Sequence, residues 1–191
     1  MGLPQENQRY TYADYLTWEG DERYELIEGV PYLMASPSQY HQEISVELAR
    51  QLANFLFGKP CKLYTAPFDV RLYPQNENAD DTVVQPDLLV VCDSGKLDGR
   101  ACNGAPTLVI EILSPSTSRK DLVLKMAHYR WAGVKEYWII DPQKRLLCKH
   151  VLVDGSFTAE WFDAPSTVPV AVLPGCEIDL AQVFGEEEPN A

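Results

Sequence analysis

The sequence predicts an α/β fold in which a central mixed β-sheet is flanked by helices. Three features carry that expectation. A long amphipathic helix is written between Ser38 and Phe57, and nearly continuous aliphatic runs such as Leu108 to Leu113 have the pattern of buried strands. The order strand, helix, strand from Leu108 to Asp141 also calls for a crossover with parallel pairing. At 191 residues the chain suits one domain with a real core and is too short for two comfortable ones. We expect a single unit with its core at about 12–183 and short polar termini.

Each element follows from local chemistry. Thr11 to Trp18 reads as a short helix, with Thr11 as N-cap and Asp14 three residues on. Tyr24 to Ile27 and Val30 to Met34 flank Glu28-Gly29 and read as a hairpin, with Pro31 placing the second strand at an edge. In the long helix Ile44, Leu48, Leu52, Phe55 and Leu56 form one apolar stripe, and Gly58 is its stop. Strands are expected at Lys62 to Thr65 and Phe68 to Leu72, then a polar loop from Pro74 to Asp81 and a strand over Val83 to Cys92. Pro115 ends the Leu108 strand. Thr117 or Ser118 then caps a helix running to about Ala132, which Gly133 closes, and Glu136 to Asp141 returns as a strand. Arg145 to Val153, Phe157 to Phe162 and Val168 to Leu173 read as short β segments, and Leu180 to Phe184 as a helical turn.

Composition removes several classes of function. No run of about 18 apolar residues occurs, so no membrane span is expected. Met1 to Tyr10 is polar, without the basic and apolar regions of a signal peptide, which implies a cytoplasmic protein. Cys61, Cys92, Cys102, Cys148 and Cys176 are odd in number, scattered and free of Cys-x-x-Cys spacing. They read as reduced thiols rather than zinc ligands. A Gly-x-Ser-x-Gly elbow, a P-loop and a dinucleotide glycine fingerprint are all missing. The net charge of -12 works against tight nonspecific binding to nucleic acid. The basic groups at Arg119 to Lys135 and Lys144 to Lys149 read as solvated surface more readily than as a groove.

Two lone carboxylates stand out. Asp87 precedes four aliphatics in Gln85-Pro86-Asp87-Leu88-Leu89-Val90-Val91, and Glu111 interrupts Leu108-Val109-Ile110-Glu111-Ile112-Leu113. Burying an unpaired charge costs several kcal/mol. One such residue is readily explained as a cap or an ion-pair partner. Two on adjacent strands point to a divalent-metal site, because oxygen ligands on rigid strands suit magnesium.

The ordered series resembles a known family. It comprises Tyr24-Glu25-Leu26-Ile27-Glu28-Gly29, His41, Gln85-Pro86-Asp87-Leu88 and Glu111-Ile112-Leu113-Ser114-Pro115-Ser116-Thr117. It continues with Asp121, Lys125, Tyr129 and Gly133-Val134-Lys135-Glu136-Tyr137-Trp138-Ile139-Ile140-Asp141. From about Tyr12 to Val183 the chain resembles the Uma family of restriction-endonuclease-like proteins, within the PD-(D/E)xK nuclease superfamily.

That resemblance implies a restriction-endonuclease-like fold and metal-dependent hydrolysis of DNA phosphodiesters. Asp87, Glu111 and the backbone carbonyl of Ile112 would hold Mg2+, with Mn2+ as a substitute, and Glu25 is a further candidate ligand. The superfamily's lysine normally follows the acid by two residues, where this chain has Leu113. The resemblance moves that lysine to Lys125, on a helix face shared with Asp121 and Tyr129 through their spacing of four. An exposed Asp121–Lys125 pair, contributing ~0.3–0.5 kcal/mol, is the plain alternative. His41 and Tyr129 are expected beside the substrate or supporting the site, Glu28 to face solvent, and Asp69 to neighbour the site or pair with a base. DNA and a second copy of the chain, as a two-fold homodimer, are the implied partners. Trp131, Tyr137 and Trp138 belong to a dimer interface or, more simply, to the core. The rival reading is a catalytically inactive nuclease scaffold that binds DNA or protein.

Overall fold

The computed structural model describes residues 4, 8–114 and 119–185, with only the backbone of 119–121. The expected Pro115 stop and the Thr117 or Ser118 cap lie outside the described residues, as does the Asp121 side chain. Helix α1 (Tyr12–Tyr15) opens on a reciprocal cap: Thr11 Oγ1 accepts from the Asp14 N–H, and the Asp14 carboxylate accepts from the Thr11 N–H. The helix ends short of Trp18, whose ring instead packs edge-on against Tyr10 and Tyr24.

Strands β1 (Tyr24–Ile27) and β2 (Val30–Leu33) form the expected hairpin. Glu28 and Gly29 both take positive φ, 50° and 76°, so the turn strains a glutamate as well as using the glycine. Helix α2 (Gln39–Leu56) starts at Ser38, whose hydroxyl accepts from the His41 N–H, and buries Ile44, Leu48, Leu52 and Leu56 along one stripe. Strands β3 (Lys62–Thr65) and β4 (Asp69–Arg71) follow.

The strand expected over Val83 to Cys92 is two strands, β5 (Val83–Val84) and β6 (Leu88–Val91), in different sheets. Pro86 has no N–H to offer a ladder, and the chain changes sheets at Gln85-Pro86-Asp87. Strand β7 (Ala101–Asn103) is short and carries no β-branched residue, so the sequence does not advertise it. Then come β8 (Leu108–Ile112), α3 (Arg119–Ala132), β9 (Glu136–Asp141), β10 (Leu146–Val153) and β11 (Ser156–Asp163). Gly133, at φ 89°, ends α3 as expected. The segment expected as a strand over Val168 to Leu173 stops at Pro169, in β12 (Thr167–Pro169). Beyond it a turn, with the Leu173 N–H on the Val170 carbonyl, leads back to β13 (Glu177–Asp179) and α4 (Leu180–Phe184).

The strands are shared among three sheets. One has the order β2-β1-β5-β4-β7, a second β11-β10-β9-β8-β6-β3, and β12 pairs with β13. The larger two are mixed: β4 and β7 run parallel, as do β8 and β9 across the α3 crossover. Alternation divides the six-stranded sheet into two buried faces. Leu88, Val90, Leu108, Ile110, Trp138 and Ile140 pack with the α2 stripe. Leu89, Val91, Val109 and Tyr137 pack with Tyr129 of α3 and with Val70 and Val84 of the five-stranded sheet. Trp131, by contrast, is exposed, whereas Tyr137 and Trp138 are core.

The cysteines depart from expectation in part. Cys61 and Cys92 are joined in a disulfide, while Cys102, Cys148 and Cys176 are free and buried. The reason is register: Lys62 pairs with Val91 across β3 and β6, so the next residues outward stand opposite each other. Scattered positions in sequence gave no sign of that pairing.

Candidate active site

Three elements from two sheets and a helix converge at one point. Leu88 pairs with Ile110 across β6 and β8, which sets Asp87 opposite Glu111 at the end of the pair. Glu111 lies in β8 and Asp87 immediately before β6, both at odd positions, and the odd positions of these two strands face α3 and the five-stranded sheet. Glu25 comes from β1 of that sheet, and Lys125 from the facing side of α3. The Lys125 ammonium lies 2.8 Å from Glu111 Oε1 and 2.8 Å from Glu25 Oε1. Its side chain is only 11% exposed, so Lys125 is not a solvated surface lysine.

Each carboxylate is held by one oxygen. Asp87 Oδ2 accepts from the Ile112 N–H at 2.7 Å and lies 3.4 Å from His41 Nε2. Glu111 Oε1 accepts from the Tyr129 hydroxyl at 2.6 Å as well as from Lys125. Glu25 Oε1 accepts from the Gln85 N–H at 2.8 Å and from Lys125.

Electrostatics follow from this crowding. Burial, then the neighbouring Glu25 and Asp87 charges, raise the Glu111 pKa to about 7 although Lys125 pulls it down. Burial works against the Lys125 cation, but Glu111 and Glu25 outweigh it and hold the lysine charged. Burial and the same two carboxylates push the Tyr129 hydroxyl far above its ordinary range, so it remains a neutral donor. Burial lowers the His41 pKa, yet the Asp87 hydrogen bond and charge, with Ile112 and Glu111 behind them, leave it raised overall.

Glu25, His41, Asp87, Glu111 and Lys125 line a cleft of about 230 Å³ that also includes Arg23, Gln85, Leu113 and the β2–α2 connection from Met34 to Pro37, with Tyr129 buried behind it. Among the described residues, no cluster of three or more His, Cys, Asp or Glu side chains takes a metal-holding arrangement. The Lys125 ammonium stands between Glu25 and Glu111, which leaves Asp87 and Glu111 as the adjacent pair of acids. What remains fits magnesium, which is commonly held by one or two carboxylates and keeps several waters.

The structure therefore brings together Asp87, Glu111, Lys125, Glu25, His41 and Tyr129. Glu28 is exposed, as expected of a turn residue. Two further residues belong to the support. Gln85 donates its side-chain amide to Asp69 Oδ1 at 2.8 Å and to the Tyr15 hydroxyl at 3.0 Å, while its backbone fixes Glu25. Among the described residues Asp69 forms no ion pair; it accepts from Gln85, Tyr12 and Tyr15. In the sequence Gln85 showed only as part of the Gln85-Pro86-Asp87-Leu88 segment, and Asp69 as a polar residue in a short strand.

The fold is shared with the crystal structure of a putative nuclease belonging to DUF820 from Anabaena variabilis ATCC 29413. The two match with a TM-score of 0.74 and 20% identity over 92% of this chain and 97% of that one. This defines the class, a restriction-endonuclease-like α/β fold. Residues 12–181 match the family model Uma2, described as a putative restriction endonuclease, and the chain belongs to that family. An uncharacterized protein of Synechocystis sp. (strain PCC 6803), slr1290, is 32% identical over 111 residues, 56% of this chain and 55% of its own length. The chain thus spans about half the length of that curated relative.

Proposed function

We propose that this protein is a magnesium-dependent endodeoxyribonuclease that hydrolyses phosphodiester bonds in DNA, with Asp87, Glu111 and Lys125 as its catalytic residues. The observation that carries the reading is the Lys125 ammonium at 2.8 Å from Glu111, whose strand neighbour across the sheet is Asp87. Asp87 and Glu111, through their carboxylate oxygens, and the Ile112 carbonyl would hold Mg2+, or Mn2+ in its place. Bound there, the ion supplies Lewis-acid polarisation of a phosphoryl oxygen and a more acidic water.

The chain's own residues do the rest. Lys125 carries a fixed positive charge beside the acids and steadies negative charge developing on phosphate oxygens. Tyr129 orients Glu111, and the Gln85 N–H orients Glu25, whose role is to hold Lys125 in place. His41 keeps Asp87 in position. Residues 12–183 act as one unit in this reading, which the extent of the family match supports. A two-fold homodimer is the assembly suited to cutting both strands. A cytoplasmic site of action suits the substrate, although the Cys61–Cys92 bond runs against a reducing compartment. No helix among the described residues is long and apolar enough to cross a membrane.

The test is a calorimetric titration of Mg2+ and Mn2+ into wild type, Asp87→Ala and Glu111→Ala, paired with plasmid cleavage. Metal binding and cleavage in wild type and loss of both in the variants is expected. Equal metal affinity in all three proteins would sink the assignment, and metal-dependent DNA binding without cleavage would turn the reading to the inactive scaffold.

A further inference from the structure

We propose that Arg23 is the residue of the cleft that binds a backbone phosphate adjacent to the one hydrolysed, and so positions the strand over the carboxylates. The inference rests on the nuclease reading above and extends it to substrate binding. Arg23 precedes β1, and the ladder continues past the strand's formal end, because the Met34 N–H donates to the Arg23 carbonyl at 2.8 Å. Side chains two apart on an extended strand share a face, and Arg23, Glu25 and Ile27 do all line the cleft. Two residues of strand span roughly 6–7 Å, about one nucleotide step along an extended backbone.

Charge makes the assignment specific. The cleft holds three carboxylates, Glu25, Asp87 and Glu111, and two fixed cations, Arg23 and Lys125. Lys125 is shared between two of those acids and buried with them. No ion pair among the described residues includes Arg23, although acids stand in the same cleft. Arg23 is half-buried, so an incoming anion can reach it from the open side of the cleft. A planar guanidinium that no ion pair among the described residues engages matches the paired oxygens of a phosphate. On a chain of net charge -12, a cation beside the site gives a phosphate a local point of attraction.

The experiment compares full-length wild type, Arg23→Ala and Arg23→Lys, using a fluorescein-labelled oligodeoxynucleotide, single- and double-stranded, in calcium at several salt concentrations. Magnesium calorimetry and steady-state cleavage accompany it. Arg23→Ala should bind DNA about tenfold more weakly, with the log–log salt slope smaller by about 1. KM should rise while kcat and magnesium affinity stay near wild type, and Arg23→Lys should recover part of the affinity and the salt slope. A hairpin defect would instead lower magnesium affinity and the melting temperature, and that pattern would overturn the inference. So would wild-type affinity and slope in Arg23→Ala while wild type itself binds DNA, and this leaves the nuclease reading intact. A wild type that binds neither oligonucleotide removes the nuclease reading and the role of Arg23 with it.

Discussion

The Lys125 ammonium stands 2.8 Å from the Glu111 carboxylate although the two belong to different elements, strand β8 and helix α3. On the strand itself, the residue two beyond Glu111 is Leu113, which also lines the cleft but offers no charge. The helix that crosses from β8 to β9 thus delivers the cation that its strand lacks. It can do so because Tyr129, one turn later on the same face, is locked to Glu111 by its hydroxyl.

Removing this cation should separate two effects. In Lys125→Ala, cleavage should fall by ~10²–10³-fold, the scale seen on losing one transition-state stabiliser. The metal-free fold should also lose about 3–5 kcal/mol, since two buried acids are left without their shared partner. Added Mg2+ should restore part of the melting temperature and none of the rate. Undiminished cleavage would return Lys125 to a structural ion pair.

The acids predict a pH signature. The Glu111 pKa is raised to about 7 by burial and by its acidic neighbours, against an ordinary value of 4.5. A raised carboxyl favours the folded state while protonated, so its contribution is fully present below about pH 4.5 and is lost as pH rises through 7. Without metal, stability should therefore fall between these limits by up to about 3 kcal/mol. Lys125 stays charged throughout, and Glu111→Gln should flatten the profile. Denaturant melts at pH 5 and pH 8 for both proteins decide it, and a parallel fall in Glu111→Gln would assign the effect elsewhere.

Much of this site was legible in the sequence, for identifiable reasons. Asp87 and Glu111 showed because a charge inside an aliphatic run has few innocent explanations, and Lys125 because its helix spacing matched the family resemblance. Glu25 and His41 were visible as candidates, but their contacts with Lys125 and Asp87 depend on how two sheets and α2 meet. Asp69 and Gln85 act only through space, and no spacing rule announces that. The strand break at Pro86 was present in the sequence as a missing N–H. The expected strand ran across it because the aliphatic pattern on either side has the same period.

The cysteine bridge makes its own prediction. Reducing the Cys61–Cys92 bond, or replacing both with Ser, should lower stability by roughly 2–4 kcal/mol, the usual range for such a closure. Peptide mapping without reductant should recover the two cysteines in one linked fragment. A protein isolated with all five thiols free would show that the pair is not formed where the protein is made.

Tyr129→Phe gives a more local check. It deletes a buried hydroxyl donor to Glu111 and should cost about 1–3 kcal/mol. The residual Glu111 should titrate higher still, and half-maximal magnesium binding should move to higher pH with it. An unchanged pH dependence of magnesium affinity would mean that Tyr129 only fills space.

Val84 is the last residue of β5 in one sheet and Leu88 the first of β6 in another, so Gln85-Pro86-Asp87 is a tether of fixed length. One end is anchored where the Gln85 N–H meets Glu25, the other where Asp87 meets the Ile112 N–H. Inserting a single residue would displace the following chain by about 3.3 Å and turn every later side chain of β6 to the opposite face. Asp87 would leave its place opposite Glu111, and Leu89 and Val91 would exchange cores with Leu88 and Val90. Natural variants of this segment should therefore differ in the identity of side chains while insertions and deletions are purged from it.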